Sequence, residues 1–365
     1  MPIFMDVHNA PGVKARDVAE AHSLDLLHQE MFGCKCMTYW IDEERENVFC
    51  LIDAPAKELV EELHSKAHGM IPHKVIEVDS QVVASFLGRI YDPEHATVTE
   101  DGLKVFSDSS FRILLVTRTI DPVLLQSRYG KEAAITLLNR QHAIIHKNLA
   151  LHEGRNTEHA GAGFIIAFNS ACKAVSCALA IQKEMTGEEI VQTGFRMGIH
   201  AGDPVAKADE FFGDTIQLAN HLCTISSQQC ITISSVVKEL ISKEHYQSDR
   251  HLQELSPADE AFLEQLYLQL ESSWQQPEFN VGDYCQSMAM SQSQLYRKTI
   301  ALTGLSPNIL LKEYRLEKAK ELMKKQRYSV SQITFDSGFT SPSYFTKCFK
   351  KKYGLLPMAY LELLH

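Results

Sequence analysis

"ITFDSGFTSPSYFTKCFKKKYG", Ile333 to Gly354, decides the architecture of the C-terminal part of this chain. Gly338 falls where a short helix must stop, because glycine takes a left-handed backbone without a steric penalty. Pro342 fits the opening turn of the next helix, where its missing N–H costs nothing. Upstream, "VGDYCQSMAMSQSQLYRKTIALTG" (Val281 to Gly304) has the same short helix, tight turn and second helix, with Ser291 as N-cap. Between the two, a longer helix follows Pro307 through "ILLKEYRLEKAKELMKKQ". The spacing predicts two helix-turn-helix units joined by a helix.

In such a unit the second helix enters a major groove about 12 Å wide, while flanking groups grip phosphates. Gln292, Ser293 and Gln294 open one such helix, and Ser341, Ser343 and Tyr344 open the other, facing base edges of double-stranded DNA. Arg297, Lys298, Lys347, Lys350 and Lys351 are placed for phosphate contact or for anchoring. Charge agrees. The chain carries a net −10, yet Glu278 to His365 holds 13 Lys+Arg against 7 Asp+Glu. A polyanion is expected to meet this basic part and not the acidic remainder. A helical domain that binds protein fits the same pattern.

Residues 278–360 closely resemble the DNA-binding domain of the AraC/XylS family of transcription regulators. The matching elements are "MSQSQLYRK", "GLSPNILLKEYRLEKAKELM" and "ITFDSGFTSPSYFTKCFKKKYGLLPMAY". The resemblance implies sequence-specific transcription regulation, with Phe339, Phe345 and Phe349 in the core. Tyr284, Cys285 and Thr334 depart from the family pattern.

The middle of the chain alternates strand and helix: "RILLV", a helical stretch near 122–150, "GFIIAF", a helix from Ser170 to Met185, "FRMGIHAGDPV", a helix at 215–225 and "CITIS". Residues 111–240 resemble the class III adenylate/guanylate cyclase catalytic domain through "GAGFIIAF", "FRMGIHAGDPV", "FFGDTIQLANHL" and "QCITISSVV". The resemblance implies two aspartates holding a pair of divalent ions for attack of a 3′-hydroxyl on an α-phosphate. Those positions fall on Arg118 and Ala162, neither of which ligates a cation, and the asparagine and arginine of the family fall on Gln217 and His221. Asp121 would be a stand-in only in a shifted register. The chain is therefore expected not to be an enzyme, the domain keeping its fold without the reaction. A nucleotide-cyclase-like or metal-dependent enzyme is the alternative. Asp203, Asp209, Glu210 and Asp214 form an acidic stretch that suits a solvated loop or a cation.

Residues 2–79 follow the order β-α-β-β-α-β, which describes a ferredoxin-like sheet with two helices on one face. Asp6 and His8 alternate onto one side of the first strand, opposite Met5 and Val7. His22 and Asp25 lie three apart on the first helix, and His64 and His68 four apart on the second. Imidazole and carboxylate together suit nickel, zinc or another divalent transition metal, although hydrogen-bonded histidines against a sheet fit these generic spacings too. The segments "MDVH", "AEAHSLD", "TYWIDEERENVFCLIDAP" and "HSKAHG" resemble a small ferredoxin-like bacterial family of nickel-binding proteins. The ligands expected are His8, His22 and His68, with His64 next; Cys34, Cys36 and Cys50 fit buried packing.

The fold class expected is multidomain α+β: two ferredoxin-like or cyclase-like α/β sandwich domains, then an all-α double helix-turn-helix domain. The expected divisions are 1–80 for metal or ligand sensing, 81–108 as linker, 109–250 as the degenerate cyclase-like domain, 251–276 as helical linker and 277–365 for DNA binding. No apolar run reaches eighteen residues, so no membrane partner is expected. "MPIFMDVHNAPG" lacks the pattern of a signal peptide, and nine cysteines without zinc-like spacing fit a cytoplasmic location. A homodimer answering to a small-molecule or metal effector completes the expectation.

Overall fold

The computed structural model describes residues 1–94, 96–157, 163–185, 192–227, 230–243, 250–325 and 329–364. The first module runs β1 (Ile3–Asn9), α1 (Ala15–His28), β2 (Lys35–Asp42), β3 (Asn47–Asp53), α2 (Lys57–Ala67) and β4 (Lys74–Val78). Its strands pair antiparallel in the order β2-β3-β1-β4, the ferredoxin-like arrangement that the element order predicts. Alternation along the strands then sorts side chains to two faces. Phe4, Tyr39, Ile41, Val48 and Ile52 meet Val18, Val60 and Leu63 of the two helices. Met5, Val7, Trp40, Phe49 and Leu51 face the other way and share a core with the middle module.

Residues 81–108, expected as a linker, are built into that packing. Asp79 caps α3 (Ser80–Leu87) by accepting from the amides of Gln81 and Val82. Val83, Phe86 and Leu87 of this helix are buried between the modules. A short hairpin, β5 (Thr97–Val98) and β6 (Lys104–Val105), follows, and Phe106 stacks on Tyr39 at 4.0 Å between ring centroids. The turn-forming residues mark a change of direction, not a free spacer.

The middle module comprises β7 (Arg112–Arg118), α4 (Pro122–Tyr129), α5 (Lys131–Leu151), β8 (Arg155–Thr157), β9 (Ile165–Phe168), α6 (Ala171–Glu184), β10 (Arg196–Gly202), α7 (Gly213–Ile225), β11 (Ile231–Ile233), α8 (Ser235–Lys243) and β12 (Leu252–Glu254). Its sheet has the order β12-β11-β10-β7-β9-β8, with β10, β11 and β12 parallel and the other pairs antiparallel. One face is covered by residues of α5, α6 and α8 such as Ile145, Ile181 and Val237. The other face, with Leu114, Val116, Ile165 and Ala167, packs on the first module and on α7. At Gly198 a Cβ would collide with the backbone of Cys223, so glycine is what lets α7 cross β10 closely. Strand β12 corrects the expectation of a purely helical stretch at 251–276. Its "LQE" carries no apolar strand signal, and the strand exists by pairing with β11.

The C-terminal part is helical: α9 (Pro257–Ser273), α10 (Val281–Ser287), α11 (Gln292–Thr303), α12 (Pro307–Lys325), α13 (Val330–Asp336), α14 (Pro342–Tyr353) and α15 (Pro357–Leu364). Helix α9 is no free linker. Leu263, Leu266 and Leu270 are fully buried between Leu218 and Leu222 of α7, Tyr284 and Leu295 of the first helix-turn-helix unit and Leu310 of the joining helix α12. In the second unit Phe339, Phe345 and Phe349 lie in the core with Leu316, Met323 and Tyr360, and Leu124 of α4 joins them. Each unit is thus seated on the middle module through its own apolar contact.

Candidate metal centre and DNA-reading helices

Between the helices and sheet of the first module lies a cavity of about 90 Å³, lined by His8, His22, Asp25, Cys50, His64 and His68 among others. His8 lines it from β1, and Asp6, on the same face of that strand, stands within hydrogen-bond distance of His64. Cys50 is the cross-strand partner of Asp6 on β3, so the β1–β3 register brings thiol and carboxylate together. From α2 comes His64, from the residue just past its C-terminal end comes His68, and from α1 comes Asp25. His64 Nε2 lies 2.9 Å from Asp6 Oδ2, its Nδ1 lies 3.2 Å from Asp25 Oδ1, and His68 Nε2 lies 3.0 Å from that same Nδ1. Asp6, His8, Cys50 and His64 form one set of donor atoms, and Asp25, His64 and His68 a second, each set lying within 4.8 Å.

The electrostatics follow from burial and proximity. Burial acts to raise the Asp6 pKa, but His64 and His8 hold this carboxyl well below its ordinary range. Burial acts to lower that of His64, yet Asp6 and Asp25 raise it to about 10. The Cys50 thiol is pushed well up by burial and then by Asp6 and Asp25. Asp6 Oδ1 meets His8 Nε2 at 3.2 Å, whereas His8 Nδ1 is buried without a hydrogen-bond partner, an arrangement that is costly unless another ligand satisfies it. The residues fit a metal ion: the cluster is capable of coordinating one, and imidazole, carboxylate and thiolate are donors for divalent first-row transition ions.

Of the four histidines expected as ligands, His8, His64 and His68 belong to the donor sets. His64, ranked last by sequence, is shared by both. His22 lines the cavity but belongs to neither set; its Nε2 is 3.8 Å from Asp92 and its ring packs edge-on against Tyr39. Asp6 and Asp25 are first-rank members, and Cys50 is added by register. Cys34 and Cys36 are buried outside both sets.

In the C-terminal module, Ser291 caps α11 and Ser341 caps α14, accepting from the amides of Gln294 and Tyr344. Gln292, Ser293 and Arg297 are exposed, as are Ser343, Tyr344, Lys347, Lys350 and Lys351. Three expected DNA contacts have other partners. Gln294 turns its carboxamide oxygen back to the Ser291 amide at 3.1 Å, closing a capping box. The Ser341 hydroxyl is taken up by its own cap. Lys298 Nζ sits 5.2 Å from the ring centre of Phe262 on α9, so it braces the module.

At the cyclase-like positions, Arg118 Nε donates to Asn220 Oδ1 at 3.2 Å and its Nη1 to Thr224 Oγ1 at 3.4 Å, both on α7. His221 lies flat on Tyr267 of α9 with 4.0 Å between centroids, and burial lowers its pKa to about 4. Gln217 is exposed, and Ala162 lies outside the described residues. Asp121 caps α4 and accepts from Tyr360. In the acidic stretch, Asp209 pairs with Lys74, Asp214 accepts from the Ala208 amide, and burial raises Asp203 to about 6. Both donor sets found among the described residues are in the first module.

Residues 4–78 match the family model described as "Nickel responsive protein SCO4226-like", and residues 284–362 match that of a "Helix-turn-helix domain". Fold, cavity and matches together define a multidomain protein with a nickel-responsive-like first module and a helix-turn-helix DNA-binding fold at its C-terminal end. Among similar proteins, "Histidine kinase P4" of Formosa agariphila is 34% identical over 106 residues, 29% of this chain and 8% of that protein. "HTH-type transcriptional regulator MtrA" of Neisseria gonorrhoeae is 35% identical over 83 residues, 23% of this chain and 28% of that protein. "Putative adenylate cyclase 3" of Rhizobium meliloti is 26% identical over 122 residues, 32% of this chain and 21% of that protein, a weak cyclase-like homology. The chain therefore spans less than a third of each of these relatives. No described helix is long and apolar enough to cross a membrane.

Proposed function

We propose that this chain is a sequence-specific, AraC-type transcription regulator, acting as a cytoplasmic homodimer, whose first module senses a divalent transition metal. The observation that carries the reading is the pair of serine-capped helices, α11 and α14, exposed and polar to basic in one helix-turn-helix fold. Phosphate contacts from Arg297, Lys347, Lys350 and Lys351 supply much of the affinity, and Gln292, Ser293, Ser343 and Tyr344 read base edges. In the first module Asp6, His8, Cys50 and His64, or Asp25, His64 and His68, hold the ion, nickel being the first candidate. A bound ion supplies positive charge that ties α1, α2 and the sheet together. From there a packed route leads through the shared sheet core to α7, against which α9 and the first helix-turn-helix unit pack.

The middle module in this reading is a cyclase-like fold without the reaction. Support comes from Arg118 lying along α7 and His221 lying beneath Tyr267. Incubation with ATP or GTP and Mg²⁺ or Mn²⁺ tests it: a cyclic nucleotide above the blank refutes the loss of activity. Genome-wide mapping of sites bound by the purified protein, repeated with and without nickel, tests the whole. Defined sites whose affinity moves with nickel support it; equal affinity at saturating metal refutes sensing while leaving DNA recognition intact. Sedimentation tests the homodimer.

A further inference from the structure

His64 is the residue common to both donor sets, and its two ring nitrogens face different ones. Nε2 lies 2.9 Å from Asp6 Oδ2, on the side of β1 and β3 where His8 and Cys50 also stand. Nδ1 lies 3.2 Å from Asp25 Oδ1 and 3.0 Å from His68 Nε2, and those two atoms are 3.2 Å apart. These last three atoms make a nearly equilateral triangle. Four ligands held tetrahedrally at about 2.0–2.1 Å from one ion stand roughly 3.4 Å apart, so the triangle matches one face of such a shell. On the other side, His8 Nε2 lies 3.2 Å from Asp6 Oδ1, and His8 Nδ1 is buried with no hydrogen-bond partner. A histidine that ligates a single ion turns its second nitrogen to a lone acceptor. Here the second nitrogen meets the Asp25 carboxylate and, at 3.0 Å, the His68 Nε2, itself a metal-ligating atom.

We propose that His64 bridges two divalent first-row transition ions as an imidazolate, one held with Asp6, His8 and Cys50 and the other with Asp25 and His68; this rests on the metal-binding reading above. The ring gives up both N–H protons to solvent as two metal–nitrogen bonds form. Cys50 gives up its thiol proton as it ligates. At His68, ligation through Nε2 makes Nδ1 the protonated nitrogen, so the Met70 amide that donates to it at 3.2 Å is released.

The test counts ions in the full chain. Protein stripped by chelator is reloaded with nickel, desalted and assayed for metal per chain, with circular dichroism as the check of folding. His64→Ala is expected to lose two ions relative to the parent chain, and His8→Ala and His68→Ala one each. Cobalt(II) provides a second readout that needs no His64 variant: the parent chain gives the magnetic signature of an exchange-coupled pair, and His68→Ala that of an isolated ion. Loss of one ion in His64→Ala, or an uncoupled cobalt signal in the parent chain, overturns the bridge and leaves a single-ion centre. Unchanged metal content in all three variants overturns the metal reading itself.

Discussion

The Tyr360 hydroxyl donates a 3.0 Å hydrogen bond to Asp121 Oδ2, joining the last helix of the chain to the first helix of the middle module. Both residues are buried, and Lys324 pairs with the same carboxylate. Burial and then Asp121 push the Tyr360 phenol well above its ordinary pKa, so it remains a donor. Tyr360→Phe takes one partner from a buried charge and is expected to destabilise the second helix-turn-helix unit by about 1–3 kcal/mol. Amide hydrogen exchange of α13 to α15 checks it: protection falls there and is unchanged in the first module.

The two capping serines are expected to act through helix stability. Ser291→Ala and Ser341→Ala each remove an acceptor from an orphan backbone amide, at a cost of about 1 kcal/mol. Denaturant unfolding of each variant measures this. Replacement by Asp, which also caps, restores most of the loss.

Neighbouring cations on α11 are expected to behave differently. Arg297 is exposed, so Arg297→Ala weakens DNA binding across sequences and lowers the salt slope by about 1. Lys298 rests over Phe262, so Lys298→Ala leaves the slope unchanged and loosens α11 from α9. Binding isotherms at several salt concentrations separate the two.

Two histidines, the half-buried His221 and the buried His64, impose opposite pH dependences. Burial lowers the folded pKa of His221 to about 4, with Arg118 adding to that and Glu271 opposing it. The unfolded chain then binds more protons at this site, and the stability it gives is lost as pH falls from about 6.5 through 4. For His64 the folded pKa is raised to about 10 against the opposing effect of burial. Its contribution is complete below about 6.5 and is lost as pH rises through 10. Thermal unfolding across pH checks both: His221→Phe flattens the acid limb, and His64→Gln flattens the alkaline limb.

The helix-turn-helix units are legible in the sequence because their signals are local: Ser291, Gly338 and Pro342 mark boundaries within a few residues of where they act. The metal centre is legible only in part. Alternation places Asp6 with His8, and helical spacing pairs His64 with His68. Ranking them requires knowing which ring faces which strand, so His64 comes last in sequence and central in structure. Cys50 joins through the β1–β3 register, which no local pattern specifies. The same limit hides the fate of residues 81–108 and of α9, whose roles are set by distant partners such as Tyr39 for Phe106 and Leu222 for Leu263. The contact between Asp121 and Tyr360 spans 239 positions and has no sequence signal at all.

The most direct measurement of the central claim is footprinting of this 365-residue chain on genomic fragments at low salt. The account predicts protection of defined sites as two blocks about one helical turn apart, roughly 10.5 base pairs, lost when Arg297 and Lys347 are both replaced by Ala. Equal affinity for every fragment, or no protection of any, contradicts it.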